Sequence, residues 1–328
     1  MPSGAADQIL AWLRAVTTPL SGEELAQRLG VSRAAVFKHV EALRERGYRV
    51  EARHAQGYVL AGTPDRLSPA ELAPYLTGTW RRIEWHAEVD STQRVARDLA
   101  RAGAAEGTTV VAETQSAGRG RLGRAWHSPP GLNVYSSVVL RPALAPTVVP
   151  QIALVVGLAV ATAVRETTGL APLLKWPNDV LLGGRKVAGI LTEMDAELER
   201  VHFVIAGIGV NVNAQRETFP PALRDKATSL AIAAGRPTDR VAFMGRLLAQ
   251  LETRYRRFLA VGFAPLRAEC EHLSALAGRA VVVHVPDGEV AGRVEGLDDD
   301  GALRLVDDAG VTRRVVAGEV TIRGGYAR

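Results

Sequence analysis

One cysteine, three methionines, four lysines and an aromatic share of 5% are the scarcities of this 328-residue chain. A lone Cys270 forms no intrachain disulfide, which excludes a disulfide scaffold and suits a reducing cytoplasm. It is read as a partly buried small side chain rather than a catalytic thiol. Long apolar runs are also scarce. The longest, residues 148–164, holds Pro150, Gln151 and Gly157, is short for a bilayer span and is read as a buried helix, so no membrane partner is expected. No basic-then-apolar leader opens the chain. Lys38, Lys175, Lys186 and Lys226 stand in a chain whose other strong cations are arginine, which marks them as places where a compact ammonium is useful.

What is present is charge carried on glycine. Residues 118–124 read GRGRLGR, so Arg119, Arg121 and Arg124 sit on a backbone loosened by Gly118, Gly120 and Gly123, a poor structural element and a good anion clamp. Residues 109–112 before it are strand-like, and residues 132–140 after it alternate like a half-buried strand. The glycines satisfy G-x-G-x-x-G, but a strand follows where a dinucleotide fold needs a helix. A kinase glycine loop is excluded because neither H-R-D nor D-F-G occurs. A solvated basic loop or an Arg/Gly nucleic-acid segment stays open at this point. A net charge of +5 permits nucleic-acid or phosphate partners, and 47% apolar residues over this length indicate a soluble globular chain of two or three domains.

Residues 1–63 read as a small helical unit with a hairpin. Ile9, Leu10, Leu13 and Val16 fall at helical spacing, Ser21 to Glu24 form a capping box, Gly30 makes a turn, and Ser32 caps a helix with Val36, Val40 and Leu43 buried. The exposed face of that helix carries Ser32, Arg33, Lys38 and His39, suited to base edges and phosphates in a major groove, and Arg53 sits on the expected wing. A helical protein-interaction module is the alternative. Residues 61–65 are the expected linker.

Beyond it, residues 67–76 predict a helix and 80–89 a strand ending at DST (90–92), whose hydroxyls suit a helix N-cap, a ligand, or both. Residues 149–168 predict the buried helix. In 173–182, KWPND interrupts two apolar runs; Asn178 and Asp179 are an ordinary turn or, beside Lys175 and Trp176, a magnesium carboxylate with a stacking surface. Gly183 and Gly184 then turn into a strand with Lys186 at its mouth and Gly189 allowing close approach. Residues 201–213 are a strand dense in glycine, which suggests a ligand or backbone packed against it. Helices are expected over 240–277, then five short strands with tight turns, as in a small barrel.

In order, GVSRAAV (30–36), DST (90–92), GRGRLGR (118–124), KWPND (175–179), KVAG (186–189) and GIGVN (207–211) resemble the family of bifunctional biotin-protein ligases and biotin operon repressors over nearly the whole chain. Leu122 departs from it, since another basic residue is common there. The resemblance implies a multidomain α+β chain: a winged helix-turn-helix over 1–63, a central mixed-sheet, class II synthetase-like ligase domain over 64–276, and an SH3-like β-barrel over 277–328. It implies Ser91, Thr92, Gln93 and Gln115 around the biotin ureido ring, and Gly118, Gly189 and Gly207 beside the valeryl chain. Arg119, Gly120, Arg121 and Lys186 would border the biotin carboxylate and α-phosphate. Arg124, Trp126, Asn178, Asp179 and Asn211 would lie on the nucleotide side, with Asp179 as a base; no protein metal ligands are assigned. ATP, magnesium and biotin are the implied cofactors. A biotin carboxyl carrier protein, operator DNA and a second copy of the adenylate-bound chain are the implied partners. A non-catalytic effector-binding transcription factor and a lipoate ligase are the competing readings.

Overall fold

A computed structural model describes residues 4–286 and 288–322. Residues 1–3, 287 and 323–328, which belong to the expected first and third domains, lie outside the described residues. Contacts divide the chain into Met1–Arg66 and Leu67–Arg328.

In the first unit, α1 (Ala5–Ala15), α2 (Gly22–Leu29) and α3 (Arg33–Glu45) precede a hairpin of β1 (Arg49–Arg53) and β2 (Gly57–Gly62). The caps are those the residues announce. Ser21 Oγ accepts from Glu24 N at 3.0 Å, Ser32 Oγ from Ala35 N at 3.2 Å, and Gly30 ends α2 in the left-handed region at φ 68°. Ile9, Leu13, Leu25, Val36, Val40 and Leu43 meet in one core, giving a helix-turn-helix with a wing. The wing runs further than expected. Ala61 and Gly62 belong to β2 rather than to a linker, because Arg49 pairs with Gly62 and its Nη2 donates to Ala61 O at 2.8 Å.

The second unit begins with α4 (Pro69–Leu72), one turn where a longer helix was expected, followed by β3 (Ile83–Val89), α5 (Thr92–Arg101), β4 (Thr109–Gln115), β5 (Val134–Leu140) and α6 (Pro150–Thr168). Then come β6 (Leu173–Lys175), β7 (Asp179–Leu182), β8 (Arg185–Ala196), β9 (Val201–Val210), α7 (Leu230–Ala234), α8 (Arg240–Val261) and α9 (Ala264–His272). The seven strands order as β3-β4-β5-β9-β8-β7-β6, parallel between β3 and β4 and antiparallel elsewhere, so the sheet is mixed. Gly183 and Gly184, at φ 54° and 72°, make the two-residue turn from β7 to β8.

β5 corrects the half-buried expectation, since all seven of its residues are buried. It is a central strand: Val138 and Leu140 join the core that contains α6, while Val139 packs with Ala96 and Ala100 of α5. The stretch Pro146–Thr168 is the one helix among the described residues long and apolar enough to cross a bilayer, and 83% of its most apolar 18-residue window is buried inside the fold, against the sheet and α8.

One ion pair ties this body together. Arg240, wholly buried at the start of α8, donates to Glu113 Oε2 at 3.0 Å and to Asn133 O at 3.0 Å. Glu113 Oε1 accepts from Leu67 N at 2.8 Å and Trp85 Nε1 at 3.0 Å. The chain closes with β10 (Ala280–Val285), β11 (Gly288–Leu297), β12 (Leu303–Val306), β13 (Thr312–Val315) and β14 (Glu319–Ile322), five antiparallel strands in the order β13-β12-β11-β10-β14.

The root of the wing gives a stability prediction. Leu20 and Tyr58 exchange backbone hydrogen bonds at 2.9 and 2.8 Å, and Gly57, at φ 121°, leaves no room for a Cβ beside the Leu20 carbonyl. Gly57→Ala is expected to destabilise the first unit by about 2 to 4 kcal/mol through strain and overlap. Denaturant unfolding followed by circular dichroism would show an earlier first transition, and an unchanged profile would contradict it.

Candidate active site

A cleft opens where α5 begins and β4, β5, β8 and β9 run side by side, and its two ends differ in chemistry. At the inner end, Thr92 N and Oγ1 donate to Gln115 Oε1 at 2.9 and 3.1 Å, and Gln115 Nε2 donates to Ser128 Oγ at 3.0 Å. Ser137 Oγ lies 2.9 Å from Thr92 Oγ1 and 3.1 Å from Gln93 Oε1, while Gln93 Nε2 donates to the carbonyls of Leu191 and Ile205. Ser91 precedes α5 but its side chain does not cap the helix. Its Oγ is buried without a hydrogen-bond partner among the described residues and the residue lines the cleft, whereas the equally unpartnered Ser136 Oγ lies on the other face of β5, the face of Val134 and Val138. An unsatisfied buried hydroxyl costs about 1 to 3 kcal/mol, so this end is built for a neutral ligand with its own donors and acceptors.

The outer end is cationic. Arg121 Nη1 donates to Asn178 Oδ1 at 2.9 Å, and burial pulls the Arg121 guanidinium below its ordinary pKa. Lys186 Nζ lies 2.6 Å from Asp179 Oδ1 and 5.5 Å from the centre of the Trp126 ring. Arg119 Nη2 stands 3.6 Å from Glu193 Oε1. Lys175 faces Asp179 across β6 and β7, and burial lowers its ammonium pKa. Gly120 N donates to Arg124 O at 2.7 Å and Trp126 N to Gly118 O at 2.8 Å, so the glycine-arginine segment closes as a tight hairpin over this end.

Comparison with known proteins identifies the architecture. Residues 6–59 match an HTH domain, 85–211 the biotin/lipoate A/B protein ligase family, and 277–323 the biotin protein ligase C-terminal domain. The chain is 41% identical over 296 residues to the bifunctional ligase/repressor BirA of Bacillus subtilis (strain 168), covering 90% of this chain and 91% of that one. It is 33% identical over 304 residues to the bifunctional ligase/repressor BirA of Escherichia coli (strain K12), covering 92% of each. The chain belongs to the bifunctional biotin ligase/repressor family. Its fold is similar to that of the biotin protein ligase from Aquifex aeolicus in complex with biotin and ATP, with a TM-score of 0.64 and 33% identity over 74% of this chain and 98% of that one.

Of the residues that the sequence singles out for a ligase of this family, Ser91, Thr92, Gln93, Gln115, Arg119, Gly120, Arg121, Trp126, Asn178, Lys186, Gly189 and Gly207 line the cleft. Four do not. Asp179 is turned to Lys186, Arg124 is held by Glu319 of β14, and Asn211 Nδ2 donates to Thr228 O at 3.1 Å inside the core. Gly118 packs at the loop base, where a Cβ would stand 2.5 Å from Trp126 O and 2.7 Å from Ser128 Oγ. The room left by Gly207 is taken by the Gln93 amide, and that left by Gly189 by the Trp126 ring, so these glycines serve side chains of the protein itself. Gly209 likewise leaves room for Trp126, whose Nε1 is buried without a partner among the described residues.

Sequence reasoning missed Tyr135, Ser136, Ser137, Ile190, Leu191, Ile208 and Gly209, all of which line the cleft. Two adjacent serines in an otherwise apolar strand were the available signal. In the first unit, Arg33, Lys38 and Arg53 are exposed or on the exposed face, His39 is half-buried, and the Ser32 hydroxyl is engaged as a cap.

Arg124 Nη1 lies 2.6 Å from Glu319 Oε1, and its Nη2 meets Oε2. The hydrogen bond from Arg124 holds the Glu319 carboxyl below the usual range. The pair is therefore complete above the unfolded glutamate pKa of about 4.3 and lost only as pH falls through the lower folded value. Glu319→Gln is expected to raise trypsin cleavage after Arg124 several-fold, by the same ratio to the parent at pH 6 and pH 8. A ratio that collapses toward one at pH 6 would contradict it.

Proposed function

We infer that this chain is an ATP-dependent biotin-protein ligase that also acts as a biotin-dependent transcriptional repressor. The observation that carries the reading is the polarity of one cleft: the unpartnered Ser91 hydroxyl beside the Thr92, Gln115 and Ser137 network at one end, and Arg119, Arg121 and Lys186 at the other. A biotin molecule has the same order, a ureido ring with donors and acceptors, an apolar chain, and a carboxylate to be activated. The dithiolane of lipoate has no comparable donors, so it would leave the Ser91 hydroxyl unsatisfied.

In the first step a biotin carboxylate oxygen attacks the α-phosphorus of ATP, the bond to the β-phosphate oxygen breaks, and pyrophosphate leaves. In the second the ε-amine of a carrier-protein lysine attacks the carbonyl of biotinyl-5'-AMP, and AMP leaves. Both steps gather negative charge on phosphate oxygens beside Arg119, Arg121 and Lys186. Magnesium brought in with ATP would neutralise phosphate charge, and Asp179 is the carboxylate of this chain that would share it; no group of three or more metal-ligating side chains occurs among the described residues. Once Lys186 turns from Asp179 to phosphate, that carboxylate is released to accept a proton from the incoming lysine. The hairpin at 118–124 keeps water from the mixed anhydride.

The division of labour follows residues 1–63 for DNA, 64–276 for ligation and 277–328 for holding the hairpin through Glu319. The adenylate-bound chain works in the cytoplasm as a homodimer on an inverted repeat, since one winged helix covers only a half-site.

Lys186→Ala is expected to keep the fold and lower biotin-dependent pyrophosphate release by at least about a hundredfold. Undiminished release would remove Lys186 from the chemistry. Arg33→Ala is expected to weaken operator binding at fixed salt and leave ligation intact. Operator affinity indifferent to biotin plus ATP in the parent would remove the repressor half of the reading.

A further inference from the structure

A second cavity, of about 220 Å³, lies away from the cleft where the C-terminal sheet meets the ligase core. Its walls are Leu154 of α6, Leu174 and Trp176 at β6, Val294 and Leu297 of β11 and Leu303 of β12. Cys270 of α9 adds to the apolar wall, because burial pushes its thiol up to about 12 and keeps it protonated. A dry cavity of roughly 150 Å³ with such walls admits benzene, so this one has room for a flat bicycle.

The polar groups at its margin narrow the choice. Arg304 Nε is buried without a hydrogen-bond partner among the described residues; it stands 3.5 Å from Glu295 Oε2, out of alignment for a bond. That donor asks for an acceptor. Glu271 and Glu295 also line the cavity, and two carboxylates against one guanidinium disfavour an anion. Glu271 Oε1 is already engaged by Leu297 N at 2.9 Å.

We propose that this cavity is an effector site for an uncharged, flat, bicyclic molecule carrying one hydrogen-bond acceptor, which Arg304 receives. Its position gives binding a route to the cleft. Leu174 N donates to Leu273 O at 2.7 Å, Ala275 N to Leu174 O at 2.8 Å, and Trp176 Nε1 to Gly301 O at 3.0 Å, so the walls of the cavity anchor the strand that leads into Asn178 and Asp179.

The test uses the full chain and three probes of one shape: quinoline, naphthalene and 2-naphthoate. Quinoline is expected to bind saturably by calorimetry at pH 7.5, several-fold more tightly than naphthalene, with 2-naphthoate weakest. Arg304→Met should erase the preference for quinoline over naphthalene. Ala277→Trp, at an exposed position on the rim, should abolish binding of all three, with circular dichroism and adenylate formation showing that the variant is folded. Absence of saturable binding, displacement of quinoline by biotin, or undiminished binding to folded Ala277→Trp would each overturn the proposal, whether or not the cleft proves to be a biotin site.

Discussion

The structure depends on a charge placed where water does not reach. Arg240 is wholly buried, and a buried guanidinium is tolerable only when a carboxylate and carbonyls surround it. Glu113 supplies the carboxylate from the end of β4 and Asn133 a carbonyl just before β5. The hairpin at 118–124 hangs between those two points, so one ion pair sets the spacing of its feet. Through Leu67 N the same carboxylate also fixes where the second unit begins. Removing either partner would break this buried pair, typically a loss of about 3 to 5 kcal/mol.

With the feet fixed, the interior of the cleft follows from volume. Gln93 reaches from α5 across the sheet only because residue 207 has no side chain, and it then bonds the carbonyls of both Leu191 and Ile205. The Gln93 amide is thereby locked, and Ser137 and Thr92 are oriented in turn. Ser91 is left over, and beside a network whose members are satisfied its hydroxyl is the place where a ligand gains most.

Much of this was legible in the chain. The caps at Ser21 and Ser32, the turn at Gly183 and Gly184, and the buried stripe of α3 are local, set by residues within four positions of one another, and the structure keeps them. The order of motifs carried the family. What could not be read was long-range. That β5 is central, and so buried on both sides, depends on which strands flank it. The grip of Glu319 on Arg124 spans 195 positions and that of Arg240 on Glu113 spans 127. The glycines of β8 and β9 signalled a close neighbour, yet nothing local told whether that neighbour would be a ligand or, as found, Gln93 and Trp126.

The cationic end shows why such a site carries as many carboxylates as it does. Arg119, Arg124 and Lys186 each face one, respectively Glu193, Glu319 and Asp179, and these side chains are at least one-fifth exposed. Pairs with that much solvent contribute about 0 to 1 kcal/mol, so they hold the cations in place without committing them. On the proposed reading, a triphosphate offers these cations an anion in exchange, and the carboxylates released are then free for other work. Arg121 is the exception, for its hydrogen bonds go to the neutral Asn178 and the Gly318 carbonyl, with Asp179 and Glu319 acting only through space, and it is more deeply buried. On that same reading, a guanidinium that has lost water and is hydrogen-bonded to no carboxylate is the one whose energy falls furthest when phosphate arrives, which would make Arg121 the centre of the electrostatic design.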